Sequence, residues 1–222
     1  MTTPSERLIE VQALRHEIAG RCVMDVPAFS AGRGEHTLLI GPSGSGKTTL
    51  INVITGLITP TSGEVRIDGQ PMSSLPPARR DELRRRTIGV VFQTLRLISA
   101  LTVRQNLSLA QSLALGRPEP AIIEDLIGRV GLAHRADARP RELSHGEGQR
   151  AAIARALCAR PAIVVADEPT SALDDANALA MADLLLGAAE ATGATLLIAT
   201  HDNRLRDRFP RTLALSAPQV TA

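Results

Sequence analysis

The 222-residue chain contains no tryptophan, no tyrosine and three phenylalanines, so aromatic side chains make up 1% of it. A protein that grips single-stranded nucleic acid by stacking bases on aromatic rings would have no platforms here. Cysteine is as scarce. Cys22 and Cys158 are the only two, which excludes a disulfide framework and suits a reducing compartment. No apolar run approaches the roughly 18–20 residues of a membrane span, and Met1 to Arg7 lacks the basic-then-apolar pattern of a signal peptide. The expected location is cytosolic, or attached to a membrane only through a partner. Net charge is also slight, +2 at pH 7, too little to argue for a nucleic acid, and no direct nucleic-acid partner is expected. What is plentiful is hydrophobic side chain, 44% of residues, enough for a sizeable core in one domain with lobes.

The sharpest scarcity is lysine. Of 25 basic side chains, one, Lys47, is lysine. Arginine is a broad planar fork, whereas lysine is a compact point charge that fits a tight phosphate cradle. Lys47 stands in Gly41-Pro42-Ser43-Gly44-Ser45-Gly46-Lys47-Thr48-Thr49. The apolar run Thr37 to Ile40 before it reads as a buried strand, and Leu50 to Leu57 after it as a helix stopped near Gly56. Strand, glycine-rich turn and helix give the G-x-x-x-x-G-K-[ST] pattern the context of a phosphate-binding loop. Its backbone N–H groups curl around phosphate oxygens, and the helix N-terminus adds partial positive charge. Lys47 reaches the β- and γ-phosphates, and Thr48 offers its hydroxyl to Mg²⁺.

Further elements follow from pattern. Leu8 to Leu14, Cys22 to Val26 and Glu64 to Gly69 read as strands of an antiparallel region beside the loop unit. Leu75 to Arg86 is polar and helical, and its arginines read mainly as a solvated face, with contact to anionic lipid or a partner as the alternative. Ile88 to Phe92 is a strand that delivers Gln93. Thr102 to Leu143 is helical, without strand signals. Ala151 to Arg160 is an alanine-rich helix ended by Pro161. Ala162 to Ala166 is a continuous apolar run that suits a strand buried on both faces. Ala176 to Thr192 is a helix, and Thr195 to Ala199 is a last core strand ending at Thr200-His201-Asp202. The expected fold is α/β: a phosphate-loop core with a mostly parallel sheet, an N-terminal antiparallel subdomain and an inserted helical subdomain. Core and β lobe span about 1–94 and 160–222, and the helical lobe about 95–159.

An acid at the end of the buried strand, Asp167, can hold Mg²⁺ opposite Thr48. The next residue, Glu168, can polarise a water for in-line attack on a γ-phosphate. With these residues in place, the chain resembles the nucleotide-binding subunits of ABC transporters over nearly its whole length. Gln93 matches the family's Q-loop glutamine. Leu143-Ser144-His145-Gly146-Glu147-Gly148-Gln149-Arg150 resembles its signature motif, Ser171-Ala172-Leu173-Asp174 its D-loop, and His201 sits where it places a switch histidine. The resemblance implies ATP hydrolysis by two copies packed head to tail, with ATP between the phosphate loop of one and the signature of the other. Ser144, Gly146 and Glu147 would meet the partner copy's nucleotide. Gln93 would reach Mg²⁺, His201 the γ-phosphate or attacking water, and Asp174 would bridge subunits. It also implies an integral membrane permease-like partner, and with it a cytoplasmic protein peripheral at the inner face of the cell membrane. Leu83 to Gln93 is similar to the group serving lipoprotein release, macrolide-type export and cell division.

The chain departs from the family pattern at three places. His145 replaces the first signature glycine and Gly148 a glutamine-like residue, which together imply slower or partner-dependent hydrolysis. Ile18 stands where an aromatic ring usually stacks on adenine. Two other readings compete: a soluble ABC ATPase acting on DNA or ribosomes, and a phosphate-loop kinase, which would need neither the Leu143–Arg150 run nor Ser171–Asp174. Because Ile18 has no π-face, GTP should be hydrolysed within roughly tenfold of ATP, about 1.4 kcal/mol of discrimination. Competition between the two nucleotides measures this, and a far stronger preference for ATP would refute it.

Overall fold

The computed structural model describes residues 7–171 and 173–217. Ala172 and the first six residues, for which the expectations above were also drawn, lie outside the described residues. Two sheets form the frame. Strands β1 (Arg7–Ile18), β2 (Arg21–Gly32) and β4 (Ser62–Ile67) pair antiparallel in the order β2-β1-β4. Strands β3 (Thr37–Ile40), β5 (Ile88–Val91), β6 (Ile163–Asp167), β7 (Thr195–Thr200) and β8 (Arg211–Ala214) pair parallel in the order β5-β6-β7-β3-β8. The helices are α1 (Lys47–Ile54), α2 (Pro77–Thr87), α3 (Val103–Leu115), α4 (Pro120–Arg129), α5 (His145–Leu157) and α6 (Asp175–Thr192).

The central parallel strands β3, β6 and β7 are buried on both faces, and their period of two sorts them into two cores. Leu38, Ile40, Val164, Ala166, Leu196 and Ile198 point into a core shared with α3, α4, α5 and α6. Leu39, Ile163, Val165, Leu197 and Ala199 point into a second core, with α1 and the antiparallel sheet. This is why these strands read as unbroken apolar runs. The helices of the inserted region have no core of their own: Leu107, Ile123 and Leu126 belong to the same cluster as one face of the sheet.

The differences from the sequence reading are local. Strand β2 runs to Gly32, well past Val26, and tolerates Pro27 because it lies at the sheet edge, where a missing N–H breaks no ladder. Helix α1 ends at Ile54, before Leu57, with Gly56 at φ 67°. Helix α5 begins at His145, six residues before the alanine-rich stretch, because Ser144 caps it. Strand β8 has only four residues and was not anticipated. In α2, Arg79 and Arg86 pair with Glu82 and Arg84 with Asp81, as a solvated helix face does.

All five parallel strands end on one edge. Ile40 is level with Thr200, Asp167 with Ala199, and Val91 with Ala166. That edge is where an open α/β sheet holds ligands. Its alignment depends on close packing of β5 on α5. A Cβ on Gly89 would lie 2.1 Å from the Ala156 carbonyl oxygen and 3.1 Å from Pro161 Cγ. Gly89→Ala should therefore destabilise the protein by about 1–3 kcal/mol, seen as a lower urea midpoint, and an unchanged midpoint would contradict this packing.

Candidate active site

The turn from β3 into α1 wraps around one ammonium. Lys47 Nζ donates to the carbonyls of Gly41 (2.8 Å) and Pro42 (3.1 Å), and the side chain is 5% exposed. Gly46, the residue before α1, has φ 88°, and a Cβ there would lie 2.7 Å from the Val23 carbonyl oxygen. Glycine is required there on both counts. Pro42, Ser43 and Gly44 are exposed, Gly41 and Thr49 half-buried, and Ser45 is buried. Ser45 Oγ finds no hydrogen-bond partner among the described residues. Oriented N–H groups, a helix N-terminus and a cation at one turn form an anion cradle.

Strand β6 brings the acids opposite. Thr48 Oγ1 donates to Asp167 Oδ1 over 3.3 Å. Burial raises the Asp167 carboxyl above its ordinary range, and the Thr48 hydroxyl partly offsets this. Glu168 is held from three sides. Its Oε1 lies 3.5 Å from Lys47 Nζ, and its Oε2 accepts from Thr200 Oγ1 (3.1 Å) and lies 2.9 Å from His201 Nδ1. Its backbone has φ 49°, with the N–H donating to the Ala199 carbonyl. A non-glycine residue in that region carries strain that the surroundings must impose. Residues from β3, α1, β6 and β7 thus meet at one point.

The remaining predicted residues are placed around this point or away from it. Gln93 is exposed just past β5, and it shares a narrow cavity of about 50 Å³ with Glu168, Gln149 and His145. Ser144 Oγ accepts from the Glu147 N–H (3.2 Å), and Glu147 Oε2 accepts from the Ser144 N–H (2.7 Å), a reciprocal cap on α5. Glu147 Oε1 also accepts from Arg135 Nε at 3.0 Å. The Ser144 N–H first, then Arg135, draw its carboxyl down to about 2. Both Glu147 oxygens are therefore occupied, one by the cap and one by Arg135, while Ser144 is exposed and Gly146 half-buried at the start of the helix. His145 and Gly146 line a second cleft of about 430 Å³ with Asp174, Asn177 and Arg150, and no residue of the phosphate loop lines it. Asp174 caps α6, accepting from the backbone N–H and the side-chain amide of Asn177 at 2.9 and 2.8 Å. Gly148 lies against Leu95, whose Cδ1, the mobile end of a half-buried side chain, would be 2.7 Å from an added Cβ and could move aside. Ile18 is 58% exposed at the end of β1, available for an apolar contact.

A family model described as ABC transporter matches residues 25–171. The chain belongs to the ABC transporter family. The dimeric structure of MJ0796, a bacterial ABC transporter cassette, is 31% identical with a TM-score of 0.85, covering 96% of this chain and 97% of that one. A post-hydrolysis state of the MJ0796 cassette bound to ADP and Pi is 30% identical at TM-score 0.85, covering 95% and 97%. CbiO1 from Clostridium perfringens, part of the transporter complex cbiONQ, is 27% identical at TM-score 0.86, covering 96% and 88%. This cassette is an ATPase, and the helical and β subdomains expected from its sequence are those of the ABC ATPase fold.

Sequence reasoning missed the hydroxyl partners of the cassette's acids. Thr200 touches Glu168 across 32 residues, and Thr170 donates to Asp202 across 32. No local pattern marks them, because the contacts exist only once β6 and β7 pair. Gln149 is similar: its amide donates to the Pro169 carbonyl at 3.1 Å and ties α5 to the segment after β6. Glu168→Gln should retain nucleotide binding and lower ATP hydrolysis by about 10²–10⁴-fold, the usual contribution of a positioned base. Phosphate release at saturating ATP measures this, and near-wild-type turnover would remove Glu168 from that role.

Proposed function

We propose that two copies of this cassette sandwich ATP head to tail and drive an integral membrane partner, with Mg²⁺ at Thr48, Asp167 and Gln93. The observation that carries this is the separation within one chain. Lys47, Asp167 and Glu168 meet at the sheet edge, whereas the capped N-terminus of α5 opens on a cleft that the phosphate loop does not line. A second copy would bring its Ser144 and Gly146 to the γ-phosphate held here, and a helix N-terminus suits that charge. Asp174, beside the same cleft, would bridge the copies.

The donor set suits Mg²⁺. A hydroxyl and a carboxylate oxygen stand 3.3 Å apart beside the cradle. Mg²⁺ is commonly held by few protein oxygens, with phosphates and waters completing its shell. Accordingly, the described residues include no cluster of three His, Cys, Asp or Glu. When bound, the ion would neutralise phosphate charge and favour ionised Asp167. The chain's own residues do the rest. Lys47 exchanges its loop carbonyls for phosphate oxygens, and the loop amides hold the β-phosphate in line. Glu168, oriented by Thr200, accepts the proton of the attacking water, and His201 holds the γ-phosphate or that water in place. Gln93, in the crevice with Glu168 and His145, would report the ion's state to the helices of the inserted region.

No helix of the described residues is long and apolar enough to cross a membrane. In this reading the cassette meets the membrane through its partner, from the cytoplasmic face. The matches to transporter cassettes favour this reading over a soluble cassette acting on DNA or ribosomes. The Leu83 to Gln93 run supports membership in the lipoprotein-release, macrolide-export and cell-division group. Cargo specificity would then reside in the partner. The test holds Glu168→Gln with Mg-ATP, reads its mass by light scattering, and identifies retained proteins by mass spectrometry. An ATP-dependent dimer that retains one polytopic membrane protein is expected. A monomer under those conditions, or retention of ribosomes or DNA-bound factors alone, would overturn the reading.

A further inference from the structure

Beyond the phosphate loop and the acids, a second polar chain runs under the site. It begins on α6, at Asp175, the residue after the Asp174 cap. Arg204 pairs with Asp175 through one terminal nitrogen. Its other two nitrogens grip Asp202: Nε donates to Oδ1 at 2.7 Å and Nη2 to Oδ2 at 2.6 Å. Asp202, 9% exposed, also accepts from the Arg204 N–H (3.0 Å) and from Thr170 Oγ1 (3.2 Å), so both its oxygens are occupied. The Asp202 N–H donates to Thr200 Oγ1 at 3.0 Å, and that hydroxyl donates its one proton to Glu168 Oε2 at 3.1 Å. The same carboxylate oxygen lies 2.9 Å from His201 Nδ1. Thr170 and Thr200 are fully buried.

We propose that Arg204 is a positioning residue of the ATPase, a clamp that sets the orientation of Glu168 and His201 from the N-terminus of α6. The proposal rests on the roles assigned above to Glu168 and His201. Thr200 gives its one hydroxyl proton to Glu168 and accepts from the Asp202 N–H, so that N–H fixes the direction in which the hydroxyl points. Asp202 keeps that N–H in place because a bidentate guanidinium grips its carboxylate, the geometry that lysine cannot reproduce. The arm to Asp175 joins this corner to the segment that carries Asp174. Displacement of that segment is thereby felt at Glu168 Oε2, and a misplaced base is costly for an in-line reaction. Stability does not call for this arm: Asp175 is 88% exposed at its side chain, and exposed ion pairs contribute little to folding.

The test is steady-state ATP hydrolysis by the full chain with Mg²⁺, with Tm measured in parallel. Arg204→Ala should lower kcat about tenfold and leave KM for ATP within about twofold, as expected for lost positioning and not lost binding. Arg204→Lys should fall between it and wild type. Asp175→Asn should lower kcat about threefold with Tm unchanged, and the double variant should show no further loss, since both act through one clamp. Wild-type kcat in Asp175→Asn, a rise in KM that accounts for the whole effect, or a kcat loss that only follows loss of folded protein would each overturn the proposal. Should Arg204→Ala fail to fold, Asp175→Asn decides alone. Glu168→Gln distinguishes the two levels. Retained hydrolysis there refutes the site assignment, whereas its loss together with indifference to Asp175→Asn refutes only the clamp.

Discussion

The buried ammonium of Lys47 is the point on which the rest of the structure bears. A cation with 5% exposure has lost most of its water, and leaving such a charge uncompensated costs several kcal/mol. The chain compensates it with two carbonyls of its own loop and the carboxylate of Glu168, just past the end of β6. The first pair makes the loop curl back on itself around the ammonium. The carboxylate locates β6 against β3 with β7 between them. Without phosphate, these groups satisfy one another. In the proposed reading a γ-phosphate would compete with Glu168 for the same ammonium.

Around that point the fold separates rigid from transmitting parts. Strands β3, β6 and β7 are sealed on both faces by two continuous cores, and close contacts such as Gly89 on the Ala156 carbonyl leave no slack between β5 and α5. The polar corner under the site is built differently, from hydroxyls and a guanidinium that each have few alternatives. Thr200 serves Glu168 and Asp202 together, and Asp202 serves Thr170 and Arg204 together. Shared donors and acceptors of this kind couple their positions more tightly than separate pairs would. The site of hydrolysis is therefore connected to the start of α6 by hydrogen bonds, and to the helices of the inserted region through the crevice that holds Gln93 and His145.

Much of this was legible in the sequence, for local reasons. The phosphate loop is a contiguous turn whose glycines, lysine and flanking apolar runs all lie within one unit. The two acids end a run buried on both faces, and that burial is written as uninterrupted β-branched residues and alanine. Cap chemistry was also local, though it altered one reading: Glu147, placed with the nucleotide contacts by resemblance, spends both oxygens on the Ser144 cap and Arg135. Strand β8 and the extension of β2 escaped because an edge position, not residue type, makes those segments strands.

The sequence by itself determined the class of chemistry, the phosphate cradle and its acids, because neighbouring residues and the periodicity of buried strands carry that information. Only the tertiary structure decided which groups restrain Glu168, that Thr200 and Asp202 stand behind it, that Arg204 ties this corner to Asp175, and that the start of α5 borders a cleft its own phosphate loop does not line. These facts depend on the pairing of β6 with β7 and the packing of α5 and α6 on the sheet. Contacts between residues tens of positions apart leave no periodic trace in the chain, since burial selects for side-chain size and polarity but does not name the partner.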